Sequence, residues 1–112
     1  MNRGSLVLIA LPGDYGKPRP GLVIQSDRFA SHPSVVVLPF TTEDRTHLGL
    51  RVSVAPTPEN GLNEASRLMV DKVTTMPREK LGKHIGRLSD ADLLRLNRAL
   101  MVFLGLAGQA PN

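Results

Sequence analysis

Short apolar runs separated by turn residues constrain the fold of this chain more than any other feature of its sequence. Up to Gly86, clusters of Pro, Gly and Asp recur between runs that are rich in β-branched residues. Such runs form strands and such clusters form turns, so the pattern predicts a small all-β framework. The predicted strands span residues 5–11, 21–26, 34–41, 49–55 and 67–75.

Two of these strands carry further information about their surroundings. In residues 50–54 apolar and polar side chains alternate, which predicts one face on the core and one face in water. Residues 35–38 are apolar throughout. This strand is therefore predicted to lie at the centre of a sheet, buried on both sides.

The chain changes character after Gly86, where the pattern predicts an amphipathic helix. Ser89 is a suitable N-cap, and Asp90 and Asp92 would face the positive end of the helix dipole. Gly105 or Gly108 can end the helix. An apolar stripe at three- and four-residue spacing is predicted to pack on the sheet or to meet a partner: Leu93, Leu96, Leu100, Phe103 and Leu104. The predicted fold class is mainly β with one C-terminal α-helix.

Length and composition indicate a single small domain without disulfides or membrane-spanning segments. Its 112 residues, 41% of them hydrophobic, predict a single domain over 1–112. The apolar runs 6–11 and 99–107 are too short for a secretory signal or for the roughly 20 residues that cross a bilayer. Cysteine is absent, which excludes disulfides and Cys-ligated zinc. We therefore expect a cytoplasmic protein with no membrane contact.

The charge balance and the missing motifs limit the chemistry. A formal net charge of +4 suits an anionic partner, although it also serves solubility. Aromatic residues make up only 4% of the chain, so nucleic-acid binding would depend on charge and hydroxyl groups. No nucleotide-binding, zinc-protease or serine-hydrolase motif is present. His32, His47 and His84 lack the spacing of metal ligands. We expect no metal and no cofactor.

One arginine stands in a rigid setting. Arg19 lies between Pro18 and Pro20, and Lys17 precedes them. The prolines restrict the backbone, so this segment is predicted to be a stiff loop ahead of the second strand. A guanidinium group held in this way suits a phosphate group. The alternative is an ordinary solvated arginine in a rigid turn.

Two further sites stand out along the chain. Thr41 and Thr42 follow the buried strand, so their hydroxyl groups emerge at its end; the alternative is that one of them caps the turn before Glu43 and Asp44. Asp71 lies within the predicted strand 67–75, where a carboxylate is disfavoured and costly to bury. It therefore needs a cationic partner or a function, and the simple alternative is a salt bridge to Lys72 or Arg67.

These segments occur in the order that is typical of one family, and the chain resembles the MazF/PemK toxins of toxin–antitoxin pairs over nearly its whole length. The segments that carry the resemblance are Arg3-Gly4, Arg19-Pro20 leading into residues 21–27, residues 39–42, Gly61-Leu62, the Asp71 segment, Leu81, residues 85–88 and the closing helix. The resemblance implies a metal-independent endoribonuclease that cuts single-stranded RNA. It also implies an SH3-like barrel like that of the CcdB and PemK proteins, a homodimer, and a cognate antitoxin that blocks the activity.

The resemblance also implies roles for individual residues. Arg19 matches the family's catalytic Arg, Thr41 its catalytic Thr, and Asp71 an Asp implicated in some members. Three further residues are expected to bind the substrate: Thr42, Lys17 and Arg67. Two departures limit the transfer. The loop before Arg19, residues 13–18, is shorter than usual and lacks the family's Glu-Gln pair. Met69 stands where some members have an Arg, which leaves open whether Arg67 replaces it.

A mechanism follows from these roles. The RNA 2′-hydroxyl attacks the adjacent phosphorus, Arg19 stabilises the charge on the phosphate oxygens, and the hydroxyls of Thr41 and Thr42 fix the geometry. Asp71 could accept the 2′-proton. The expected products are a 2′,3′-cyclic phosphate and a 5′-hydroxyl.

Two other functions fit the sequence. A gyrase poison of the CcdB type resembles this fold and acts by binding a protein, but its pattern has a Trp near the C-terminal end and this chain has none. The other is an inactive SH3-like barrel that only binds RNA.

Overall fold

The computed structural model describes residues 1–13, 16–43 and 50–106. All strand pairings are antiparallel, and the sheet runs in the order β4-β5-β3-β2-β1-β7, with β6 paired to β3. The strands are β1 (Ser5–Ile9), β2 (Arg19–Val23), β3 (Ser34–Thr41), β4 (Arg51–Val54), β5 (Ser66–Met69), β6 (Thr74–Pro77) and β7 (His84–Arg87), and one helix follows, α1 (Asp90–Phe103). The predicted class, an SH3-like barrel with one C-terminal helix, is confirmed.

Strand β3 is the centre of the sheet, as its uniformly apolar sequence predicts. One edge pairs with β2, and the other pairs first with β6 and then with β5. Leu38 and Phe40 pack in the core beneath α1, while Val35 and Val37 belong to a second apolar cluster on the opposite face. Both faces of β3 therefore carry buried side chains, while Ser34 and Thr41 at its two ends are half-buried.

Strand β4 shows the predicted alternation. Val52 and Val54 are buried, whereas Ser53 between them is exposed. The strand begins at Arg51; Gly49, where the prediction starts, lies outside the described residues.

The helix begins and ends as predicted, but its apolar stripe is only partly buried. The Ser89 hydroxyl accepts a hydrogen bond from the Asp92 N–H at 3.1 Å, and Gly105 adopts a φ of +74° just after the helix. Leu96 and Leu100 are buried, whereas Phe103 is 46% exposed. Of the two uses predicted for the stripe, Leu96 and Leu100 serve the core, whereas Phe103 and Leu104 do not. The helix packs against β4 and the turn at residues 70–72.

The segment predicted as one strand, 67–75, is two strands joined by a 3-10 turn, Val70–Lys72. Phe40 pairs with Leu68 and Val37 pairs with Thr74. The segment therefore advances six residues, from 68 to 74, while β3 recedes three, from 40 to 37. The extra residues form the turn, in the manner of a large bulge. Asp71 lies in this turn and not in the ladder.

Strand β7 was not predicted. Its residues, His84–Arg87, include a Gly and two charged or polar side chains and do not alternate clearly. Pairing with β1 holds this segment in the sheet, with an irregular register between Leu6 and Val7. The strand is thus a product of tertiary pairing, which outweighs its weak local preference.

Candidate active site at the ends of β2 and β3

A cleft of about 160 Å³ opens where β2 begins and β3 ends. Arg19 and Thr41 line it together with residues 62–64 of the segment before β5. Phe40 and Leu62 are both buried and form an apolar floor. The cleft therefore combines an apolar base with a rim of charged, amide and hydroxyl groups.

Strand register brings Arg19 and Thr41 together. Gly21 pairs with Pro39 across β2 and β3, and the same register continued by two residues places Arg19 opposite Thr41. Thr41 in turn pairs with Arg67 on β5. Residues that face each other across strands project from the same face of a sheet. The row Arg19, Thr41 and Arg67 thus runs across three neighbouring strands.

Arg19 is the first residue of β2, where it pairs with Ile9 of β1. The prediction of a loop at this position was therefore wrong. Two prolines favour extended backbone, which suits a strand as well as a loop, and proline is tolerated in the first residues of a strand. The Arg19 side chain is exposed. Its backbone is rigid, as the flanking prolines predict, but strand pairing is what holds it.

Thr41 holds the turn that follows β3, as the alternative for this residue predicts. Its Oγ1 accepts a hydrogen bond from the Glu43 N–H at 3.1 Å, and the Arg67 guanidinium donates to the Glu43 carbonyl at 3.3 Å. A hydroxyl that accepts one hydrogen bond can still donate its own proton. Thr42 lies exposed beside it and also lines the cleft. Asp44 lies outside the described residues.

Asp71 is not brought to this cleft. Its carboxylate forms an ion pair with the Arg51 guanidinium, and the two side chains are only 26% and 18% exposed. Neither predicted partner, Lys72 or Arg67, makes this contact. Arg51 reaches the turn because β4 pairs with β5, opposite Met69. The sequence predicts a cationic partner correctly, but only the strand pairing identifies it.

A second cleft, of about 330 Å³, also borders Arg19. Pro12, Pro39 and Met69 give it apolar walls, and Lys72 adds a positive charge. Arg19 lines both clefts. Lys17 is exposed two residues before it and lines neither.

Four further cleft residues were not predicted as site residues, and they lie just before β5 or at its first position: Leu62, Asn63, Glu64 and Ser66. Gly61 begins this segment with a φ of +72°, and a Cβ atom there would lie 2.0 Å from the Ile85 carbonyl oxygen. Only glycine fits such a position. Gly61-Leu62 is part of the family resemblance, but nothing in its pattern shows that the next residues border Arg19.

Among residues 1–13, 16–43 and 50–106, no three His, Asp or Glu side chains come together as a metal ion would require. In the same part of the chain, no helix has the length and apolar character needed to cross a bilayer.

Comparison with known proteins identifies the family. The profile of the PemK-like, MazF-like toxins of type II toxin–antitoxin systems matches residues 2–104, which include every strand and α1. The chain belongs to this family. This MazF-like toxin is 52% identical over 109 residues to the protein named "Probable endoribonuclease MazF" of Mycolicibacterium smegmatis. The alignment covers 96% of this chain and 100% of the relative.

Solved structures agree with this MazF-like assignment. An endoribonuclease in complex with its cognate antitoxin, from a mycobacterial species, superposes with a TM-score of 0.77 at 26% identity, covering 99% of both chains. The Mycobacterium tuberculosis toxin MazF-mt6 has a TM-score of 0.73 at 30% identity, covering 90% of this chain and 96% of its own. The predicted family is therefore confirmed.

Proposed function

We propose that this MazF-like toxin is an endoribonuclease that cuts single-stranded RNA without a metal ion, by attack of a ribose 2′-hydroxyl on the adjacent phosphorus. The observation that carries the proposal is the cleft in which Arg19 and Thr41, from neighbouring strands, border the same space. The family match and the 52% identical relative, named as an endoribonuclease, support the activity.

Arg19 supplies the positive charge for this reaction. The attack creates a phosphorane whose oxygens carry extra negative charge, and stabilising that charge is the main task of the site. A guanidinium group remains protonated and can donate two parallel hydrogen bonds to two phosphate oxygens. Because Arg19 is exposed at the start of a paired strand, its backbone is already ordered before RNA binds.

The two threonine hydroxyls orient the phosphate. Thr41 accepts from the Glu43 N–H, which leaves its proton available to a phosphate oxygen. Thr42 adds a second hydroxyl on the same rim. Such contacts hold the 2′-oxygen in line with the departing 5′-oxygen. Arg67 steadies the turn through the Glu43 carbonyl, and Lys17 attracts the RNA backbone on its approach.

The two clefts beside Arg19 suit a polymeric substrate. A scissile phosphate joins two nucleosides, so a strand bound with that phosphate at Arg19 extends to both sides of it. The smaller cleft would take one neighbouring nucleoside. The larger cleft, with its apolar walls and Lys72, would take the other nucleoside and a flanking phosphate.

Asp71 takes a positioning role in this scheme. Its ion pair with Arg51 ties the turn after β5 to β4. That turn also carries Lys72, which lines the larger cleft. The place of Asp71 gives no support to the role of base that the sequence predicts for it.

The family and its relatives also support the partners. A related toxin is described in complex with its cognate antitoxin, so we propose that a cognate antitoxin binds this chain. We also propose a homodimer in the cytoplasm. The exposed apolar side chains at the end of α1, Met101, Val102 and Phe103, are suitable for such contacts. The family match favours this function over a gyrase poison of the CcdB type.

Labelled single-stranded RNA incubated with the protein in excess EDTA tests the proposal. We expect cleavage, with 2′,3′-cyclic phosphate and 5′-hydroxyl ends seen by mass spectrometry. Products with 5′-phosphate ends, or activity that disappears with EDTA and returns with a divalent ion, would contradict the mechanism. RNA that is bound but never cut would identify an inactive RNA-binding barrel, and inhibition of gyrase supercoiling without RNA cleavage would support the CcdB-like alternative.

A further inference from the structure

The cleft contains a carboxylate that neither the sequence nor the family resemblance assigns. Glu64 lies on the rim, in the same space as Arg19 and the two threonines. Among the described residues that line this cleft, Glu64 is the one acidic side chain. Arg19 is the one basic side chain in the same set. A carboxylate and a guanidinium group thus line one small cavity.

The backbone of Glu64 is anchored on both sides. Before it, Leu62 is buried, and the Leu62 N–H donates to the Asn60 Oδ1 at 3.0 Å. After it, the buried Ser66 donates its hydroxyl to the Glu64 carbonyl at 2.9 Å. Asn60 is itself held by a bond from its amide to the Ala55 carbonyl at 2.9 Å. The carboxylate therefore projects from an ordered segment, as a catalytic group requires.

Glu64 and Asp71 differ in how their carboxylates are used. Asp71 is held by Arg51 outside the cleft. Glu64 is exposed, and within the described residues its carboxylate makes no ion pair or hydrogen bond. An unengaged carboxylate beside the phosphate site can accept a proton without first breaking a salt bridge.

We infer that Glu64 is the general base of the cleavage reaction, an inference that rests on the proposed function. The Glu64 carboxylate takes the proton of the 2′-hydroxyl as the 2′-oxygen forms its bond to phosphorus. The bond from phosphorus to the 5′-oxygen breaks, and a water at the open mouth of the cleft protonates that oxygen. Glu64 then returns its proton to the resulting hydroxide. No proton is consumed overall, and no metal or cofactor takes part.

Replacement of the carboxylate by an amide tests this role. The scissile bond is first mapped with the wild-type protein, and single-turnover cleavage is then compared for the wild type, Glu64→Gln and the control Glu79→Gln. Glu79 is also exposed, but it lies in the 3-10 turn after β6. Loss of a general base typically costs about a hundredfold or more in rate, so we expect that loss for Glu64→Gln and none for Glu79→Gln.

A second measurement separates chemistry from binding. The same RNA with 2′-deoxyribose at the mapped bond cannot react, so its dissociation constant reports binding alone. We expect Glu64→Gln to bind it within about threefold of the wild type, since the amide keeps the size of the side chain. Circular dichroism checks that both variants are folded. Glu64→Asp, with the carboxylate set back by one methylene, is expected to recover part of the lost rate.

The inference fails if Glu64→Gln cleaves within about tenfold of the wild type, or if weaker binding accounts for its whole loss of rate. Arg19→Ala distinguishes this failure from failure of the proposed function. If Arg19→Ala loses activity while Glu64→Gln retains it, the site stands and only the base is misassigned. If Arg19→Ala also cleaves normally, the proposed site itself is wrong.

Discussion

Asp71 and Arg51 form an ion pair that ties the 3-10 turn after β5 to β4. The two residues are 20 positions apart in the sequence, and each belongs to a different element. This turn joins β5 to β6, the two strands that pair with the same edge of β3. The ion pair therefore fixes the turn between these strands, next to the cleft that Lys72 lines.

Removal of the Asp71 carboxylate should weaken the fold more than the chemistry. The pair is mostly buried, so Asp71→Asn should lower the free energy of unfolding by about 1–2 kcal/mol, between the values for surface and buried pairs. Urea denaturation measures this, and a double-mutant cycle with Arg51→Ala tests the coupling. Cleavage should stay within about tenfold of the wild type. A folded variant that is more than about a hundredfold slower would restore Asp71 as the base.

Loss of the Arg19 guanidinium should affect the reaction and not the fold. Arg19 is exposed, so Arg19→Ala should fold normally. It should cleave RNA at least about a hundredfold more slowly, because the phosphorane loses its charge stabiliser. Arg19→Lys should recover only part of this, since an ammonium group cannot make the paired contact. Arg98→Ala, an exposed arginine on α1, is the matched control and should cleave normally in the same assay.

The Thr41 hydroxyl accepts a bond from the Glu43 N–H and is proposed to donate one to the phosphate. Substitutions of similar size test these two bonds. Thr41→Val keeps the branched side chain but loses the bond to the Glu43 N–H and the donor to phosphate. We expect a rate about a hundredfold lower, comparable to the loss of one oxyanion donor. Thr41→Ser restores the hydroxyl and should bring most of that rate back. Equal activity of the valine and serine variants in single-turnover assays would remove the hydroxyl from the mechanism.

Gly61 should tolerate no side chain. A methyl group there would lie 2.0 Å from the Ile85 carbonyl oxygen, on a backbone with φ of +72°. Gly61→Ala should therefore lower the free energy of unfolding by about 3 kcal/mol, through strain and the shift of β7. RNA cleavage should also fall, because residues 62–64 line the cleft. Gly13 also has a positive φ but has open space around its Cβ position, so Gly13→Ala is the control. Equal thermal unfolding of the two variants would contradict this account.

The local sequence pattern predicts an element correctly where the nearby residues in the chain determine its structure. The uniformly apolar run of β3, the alternation in β4 and the Ser89 cap of α1 are all recovered in the structure. Helix capping depends on contacts within a few residues, and a strand carries the mark of its burial in its apolar pattern, so residue type and periodicity reveal both. The order of motifs along the chain was likewise enough to indicate the family.

The composition of the site was decided by tertiary structure. Arg19 lies opposite Thr41 because of the register between β2 and β3, and Glu64 reaches the same cleft because Gly61 turns the chain beneath β7. The partner of Asp71 depends on which residue of β4 lies near the turn. A change of one residue in register would move each side chain to the opposite face of its strand. Local sequence specifies the central strands, but pairing produces β7 and determines which charged side chains meet.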